Sequence, residues 1–210
     1  MRLDPRKRAL SGAALVGLAV GIAVAADPPG SPTANESLAV CEQAGSASDP
    51  AEKRRLLARG IALGEAAVAA DERDAKAHFA IFCNLGKQMR LDGIGLASLM
   101  SVRRLRREID RTVELAPDYA DALVGKGALL LDLPRVLGGD AGEGERLVRA
   151  ALRIDPDFIE AHLVLARALL ARGARTEARA EGERALTLAE RDGDRDRARE
   201  ARDLVSDAAR

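Results

Sequence analysis

The sequence predicts an all-α protein, a solenoid of antiparallel helix pairs with about four pairs and a C-terminal capping helix. Three observations carry this prediction. From Asn35 onward, apolar residues return at three- and four-residue intervals, and Ala, Leu, Arg and Glu dominate, a pattern and a composition that both favour helix over strand. Turn-forming residues at Gly45–Pro50, Glu72–Asp74, Leu91–Gly95, Pro117, Leu133–Asp140, Pro156, Gly173 and Gly193 cut the chain into segments of ordinary helix length. The third observation is internal repetition around Pro117 and Pro156.

The elements follow in order. Residues 1–25 carry Arg2, Arg6, Lys7 and Arg8 against Asp4, and an uncharged apolar run from Ala9 to Ala26 follows. A basic start, an apolar stretch and small residues at its end predict a secretory signal peptide over residues 1–26, cut after Ala25 or Ala26. An uncleaved membrane anchor is the alternative, because a run of this length is near the lower limit for crossing a bilayer. Residues 27–34, with Pro28, Pro29, Gly30 and Pro32, read as a flexible linker. Residues 35–117 hold degenerate helix pairs, 118–190 hold two clear repeat units, and 195–210 form the capping helix. Asp49, Asp118, Asp140, Asp157 and Asp196 stand where they can cap free amide groups at helix starts. In the last helix Ala201, Leu204, Val205 and Ala208 share one face, as expected of a solubilising cap.

The repetition is specific. Pro117, Asp118 and Tyr119 are matched by Pro156, Asp157 and Phe158; Ala122 is then matched by Ala161, and Gly127 by Ala166. Small residues continue at Gly144 and Ala151 in one unit, and at Ala178 and Ala185 in the other. Such residues are needed where two helices cross closely, since larger side chains would push the axes apart. This spacing resembles the tetratricopeptide repeat, a helix–turn–helix unit of about 34 residues. Pro117 and Pro156 stand 39 residues apart, and the surplus falls in the loop Leu133–Asp140. Upstream the match weakens: Gly60 and Ala67 keep the spacing, Ala77, His78 and Phe79 echo Ala161, His162 and Leu163, and Phe82 stands where a small residue is expected. Asn84-Leu-Gly86 and the Leu133–Asp140 loop, behind an export signal, resemble the periplasmic tetratricopeptide proteins that accompany TRAP transporters. They are similar also to the helical domain of regulators of microtubule dynamics. The resemblance implies a right-handed superhelix that binds other molecules without transforming them.

Composition narrows the partners. Lys+Arg and Asp+Glu both number 33, aromatics are 2% of the chain and Trp is absent. Neither the charge of a general DNA binder nor the rings needed to stack single-stranded bases are present. No nucleophile–base arrangement, P-loop or zinc protease motif occurs, so no catalytic residue and no cofactor is expected. His78 and His162 occupy equivalent places without further ligands at suitable spacing, and fit helix packing better than metal binding.

The remaining candidates are surfaces. First helices of stacked repeats line a concave wall, here through Lys76, Phe79, Cys83 and Lys87, then Asp121, Val124, Ala128 and Leu131, then Glu160, Leu163, Arg167 and Leu170. That mixture suits a peptide helix or an extended segment. Relative to tetratricopeptide domains that clamp a terminal carboxylate, the Asn and Lys cluster is missing. Cys41 and Cys83 are the two cysteines and allow one disulfide, or two small buried side chains; Val40 disfavours Cys41 as a lipoprotein site. The run Arg103–Arg107 could receive an anion, although pairing with Glu108 and Asp110 is its ordinary use. In the loop, Pro134 stops one helix, Gly138 and Gly139 turn the chain, and Asp140 caps the next. Function is expected to be that of an exported scaffold or adaptor binding protein or peptide. An accessory component of a TRAP-type transporter and a structural envelope protein are the alternatives.

Overall fold

A computed structural model describes residues 27–93 and 98–210. The expected signal peptide therefore lies outside the described residues, as does part of the turn expected near residues 90–98. Nine α-helices are described: α1 (Pro32–Ser46), α2 (Pro50–Ala70), α3 (Ala75–Asp92), α4 (Ser98–Leu115), α5 (Ala120–Asp132), α6 (Ala141–Ile154), α7 (Ile159–Ala171), α8 (Arg175–Asp192) and α9 (Arg195–Ala208), with a single 3-10 turn at Arg135–Leu137. They pair in sequence order, α1 with α2 through α7 with α8, and α9 closes the stack on α7 and α8. The fold is the all-α solenoid that the periodicity predicts. Among the described residues, no helix is long and apolar enough to cross a membrane.

Small residues set the crossings. A Cβ on Gly127 of α5 would lie 2.8 Å from the backbone oxygen of Gly144 on α6, and a Cβ on Gly144 would lie 2.8 Å from the oxygen of Gly127. The two backbones therefore touch, and no other residue pair fits between them. Around this crossing Leu123, Leu130, Val148, Val164, Leu165 and Leu169 form the main core.

The first repeats use a polar crossing instead. Asn84 is fully buried, and its amide donates to the Ser37 and Ala80 carbonyls at 3.2 and 2.9 Å. The Ser37 hydroxyl donates to the Gly60 carbonyl at 2.7 Å, so one serine and one asparagine join α1, α2 and α3. Gly60 is small because a Cβ there would collide with Asn84 Oδ1. The Asn84-Leu-Gly86 motif thus has a packing role in this chain.

Three helix starts differ from expectation. Asp49 and Asp140 cap α2 and α6, but Asp118, Asp157 and Asp196 do not cap. Tyr119 and Phe158 occupy the cap positions of α5 and α7 without any side-chain cap bond, and Asp194 caps α9. In the Pro-Asp-aromatic turn the extended backbone at the cap position points the ring inward: Tyr119 packs edge-on against Phe79 at 4.9 Å. Packing of the ring outweighs the capping bond that Asp could make. Asp74, which caps α3, also accepts from the Ser31 amide at 2.8 Å. With the Lys76–Asp27 ion pair at 3.2 Å, this straps residues 27–31 to the start of α3. Helix α1 begins at Pro32, inside the segment expected to be a flexible linker.

Candidate partner-binding groove

Helices α3, α5 and α7 present one face of the solenoid, and a groove of about 360 Å³ runs between them. Its apolar lining includes Phe79, Phe82, Leu105, Val124, Leu129 and Phe158, and its polar lining includes Lys87, Arg90, Asp121, Asp132 and Glu160. A second cavity of about 290 Å³ shares Ala128 and Asp132 with the first and continues past Leu131 to Val164 and Arg167. Among the described residues, Arg90, Asp121 and Asp132 make no ion pair.

The charge is unevenly placed. Asp27, Asp118, Asp121 and Asp155 gather at the start of α5, around a cleft of about 110 Å³. Burial first, and then the Asp27 carboxylate, push the Asp121 pKa up to about 6. Burial raises the Tyr119 phenol as well. Lys87 and Arg90 supply positive charge from α3, although Lys87 Nζ already donates to the Cys41 carbonyl at 2.8 Å.

Of the expected wall residues, Phe79, Cys83, Lys87, Asp121, Val124, Ala128 and Glu160 line the first cavity, and Leu131 and Arg167 line the second. Three are placed elsewhere. Leu163 is fully buried with Ala185, Ala201 and Leu204, because α9 packs over α7. Leu170 packs against the two cores at that end. Lys76 is turned to Asp27 by the strapped segment. At α7, Arg197 of α9 reaches Glu160 at 3.6 Å, and Arg167 pairs with Glu200, so the cap helix closes this end of the wall.

Residues beyond the expected wall also matter. Phe82, Arg90, Asp132, Phe158 and Arg197 line the groove. Phe82 fits at its unusual position because Gly125 faces it: a Cβ on Gly125 would lie 2.7 Å from the Phe82 ring. A large residue on α3 and a missing side chain on α5 compensate each other, a pairing visible in the sequence only when both positions are read together.

The two histidines act as pins. His78 Nδ1 lies 2.8 Å from Glu108 Oε2, and its Nε2 lies 3.0 Å from the Glu72 carbonyl. His162 repeats this geometry, with Glu181 Oε2 at 2.6 Å and the Pro156 carbonyl at 3.0 Å. A carbonyl and a carboxylate both accept, so both ring nitrogens donate and the imidazolium form is favoured. Each ring ties a first helix to its preceding turn and to the next helix.

The arginine run is more structural than a solvated face. Arg104 pairs with Glu65 of α2, Arg106 donates to the Leu137 and Gly138 carbonyls at 3.1 Å, and Asp110 pairs with Lys126. Gly138 turns the loop with φ of 85°, and the Asp140 amide returns to the Leu130 carbonyl at 3.0 Å. Val136 is 91% exposed at the loop tip. Val136→Ala combined with Leu137→Ala is expected to leave helical content unchanged and to move stability by no more than about 0.5 kcal/mol, checked by circular dichroism during urea unfolding.

Comparison with known proteins agrees with this architecture. Residues 137–195 match the tetratricopeptide repeat family. A thermophilic TPR protein of Thermus thermophilus is similar in structure with a TM-score of 0.58 at 18% identity, over 82% of this chain and 90% of that one. The TPR2AB domain of yeast Sti1 in complex with pHSP90 gives 0.45 at 15% identity, over 85% of this chain and 71% of that one. YrrB, a TPR protein with an unusual peptide-binding site, gives 0.41 at 16%, over 83% and 92%. No curated protein matches the sequence. The class of protein is therefore defined by fold: a helical-repeat solenoid in which residues 137–195 match the tetratricopeptide repeat.

Proposed function

We propose that the chain is an exported scaffold or adaptor that binds a protein segment in the groove between α3 and α5. The observation that carries this reading is an open apolar channel with Arg90, Asp121 and Asp132 unpaired at its margins. Apolar side chains of a bound segment gain from leaving water along Phe79, Phe82 and Val124, and charged groups at the margins set its direction. A segment with a cation toward Asp121 and a carboxylate toward Lys87 and Arg90 meets both ends. Export is supported by the basic start, the apolar run and the small residues of the first 26 positions.

Selection of peptides from a displayed random library on the purified protein tests this. Binders are expected to lose at least about tenfold in affinity with Ala128→Arg, which places a long side chain in the channel, and to be unaffected by Val136→Ala. Failure to select any peptide, or binders indifferent to Ala128→Arg, contradicts the groove reading. The two cations Lys87 and Arg90 on the groove lining favour a second reading, an accessory transporter component of TRAP type that takes a small anion; thermal stabilisation by organic acids, abolished by Arg90→Ala, would support it.

A further inference from the structure

Helices α1 and α3 are clamped at two successive turns. Asn84 of α3 binds the Ser37 carbonyl of α1, and one turn further along both helices Lys87 binds the Cys41 carbonyl. At these clamps Cys83, next to Asn84 in the chain, and Cys41, whose carbonyl Lys87 holds, are neighbours across α1 and α3, and both thiols are free. Cys41 is 3% exposed, whereas Cys83 is half-buried and forms part of the groove lining. The chain has no other cysteine. Two neighbouring thiols on helices fixed to each other by independent hydrogen bonds, one inside and one open to a channel wide enough for a small molecule, make more than a packing contact.

We propose that Cys41 and Cys83 are a reversible redox pair that closes into a disulfide on meeting a small disulfide oxidant such as oxidised glutathione. The groove-facing Cys83 sulfur, passing its proton to the Cys41 thiolate, attacks the oxidant and releases one glutathione thiolate. Cys41, after losing that proton to the solvent, then attacks the Cys83 sulfur of the mixed disulfide and releases the second. The S–S bond of the oxidant breaks, the protein S–S bond forms, two protons leave the protein thiols, and its two electrons reside on the two glutathione thiolates. The surroundings assist the first ionisation: the contact with Cys83, with Lys87 and Arg90, lowers the Cys41 pKa to about 7 despite burial. The contact with Cys41 and burial raise the Cys83 pKa, so the pair loses its first proton from Cys41 with ease, and Cys83 becomes the attacking thiolate by passing its own proton to Cys41. Closure bolts α1 to α3 and removes a thiol from the groove floor.

The test uses the full chain equilibrated with oxidised glutathione, quenched by alkylation and mapped by mass spectrometry without reduction. A peptide pair cross-linked through Cys41 and Cys83 is expected, with a melting temperature raised by roughly 5–15 °C that dithiothreitol reverses. Cys41→Ser should instead stop at a glutathione adduct on Cys83. Persistent adducts on the wild-type chain, or two thiols still alkylated after equilibration, overturn the proposal. Neither readout depends on what the groove binds.

Discussion

Gly127→Val is expected to destabilise the protein by about 3 kcal/mol or more, among the largest effects of any single substitution in the chain. A Cβ alone would stand 2.8 Å from the Gly144 oxygen and 2.7 Å from a Val148 methyl. The obstacle is backbone on a neighbouring helix, which no rotamer change can move. Separation of α5 from α6 would open the main core, because Leu123, Leu130 and Val148 pack around that crossing. Gly127→Ala should fall between wild type and valine. Gly142 provides the contrast, since it is exposed near the start of α6 and a Cβ there would meet only Asp140 Oδ1, at 3.5 Å. There alanine is expected to stabilise by up to about 1 kcal/mol, through helix propensity alone. Urea unfolding of the three variants checks the sign and the order.

The second large effect is a loss of stability as pH rises through neutrality, carried by the two histidine pins. The Glu108 hydrogen bond, against burial and with the Glu72 carbonyl, raises the His78 pKa above 6.5. At His162 burial lowers it, but Glu181 and the Pro156 carbonyl outweigh burial and the net shift is again upward. Arg111 opposes the first shift and Arg184 the second, each from the helix that supplies the glutamate. A raised folded-state pKa means that folding takes up protons. The added stability is therefore complete below pH 6.5, the unshifted value, and disappears as pH climbs through the raised one. Asp121 acts with the same sign but lower on the pH scale: with its pKa raised from 3.8 to about 6, it costs stability as pH rises between those values and adds no slope above them. The midpoint of urea unfolding should thus fall as pH rises above 6.5, where the histidines lose their protons. His162→Gln is expected to cost about 2 kcal/mol at pH 6 and to flatten that slope, and His78→Gln to do the same at the other end of the solenoid. Variants that retain the wild-type pH profile would show the pins to be neutral contacts.

Much of this was legible in the sequence, for physical reasons. Helix period and turn residues act locally, so the helices and their breaks could be read along the chain. The small residues marked Gly127 and Gly144 as a crossing because nothing larger fits there. The wall at Phe79, Asp121, Val124 and Ala128 followed from the helical repeat of the first helices. What could not be read depends on elements far apart in the chain. Leu163 is hidden by α9, a packing partner more than thirty residues away. Lys76 is drawn to Asp27 by a strap whose prolines and glycine suggested a linker. Phe82 looked misplaced until Gly125 stood opposite it. The partners of His78 and His162 were equally hidden, since Glu108 and Glu181 lie on the following helices at unequal separations.

The central claim is that the face between α3 and α5 is where a partner binds. A selected peptide carrying a photoreactive residue, cross-linked to the protein and mapped by mass spectrometry, tests it most directly. Attachment at Phe79, Phe82, Val124, Ala128 or Leu129 is the predicted result. Attachment on α6, α8 or the Val136 loop, with that wall unlabelled, would contradict it.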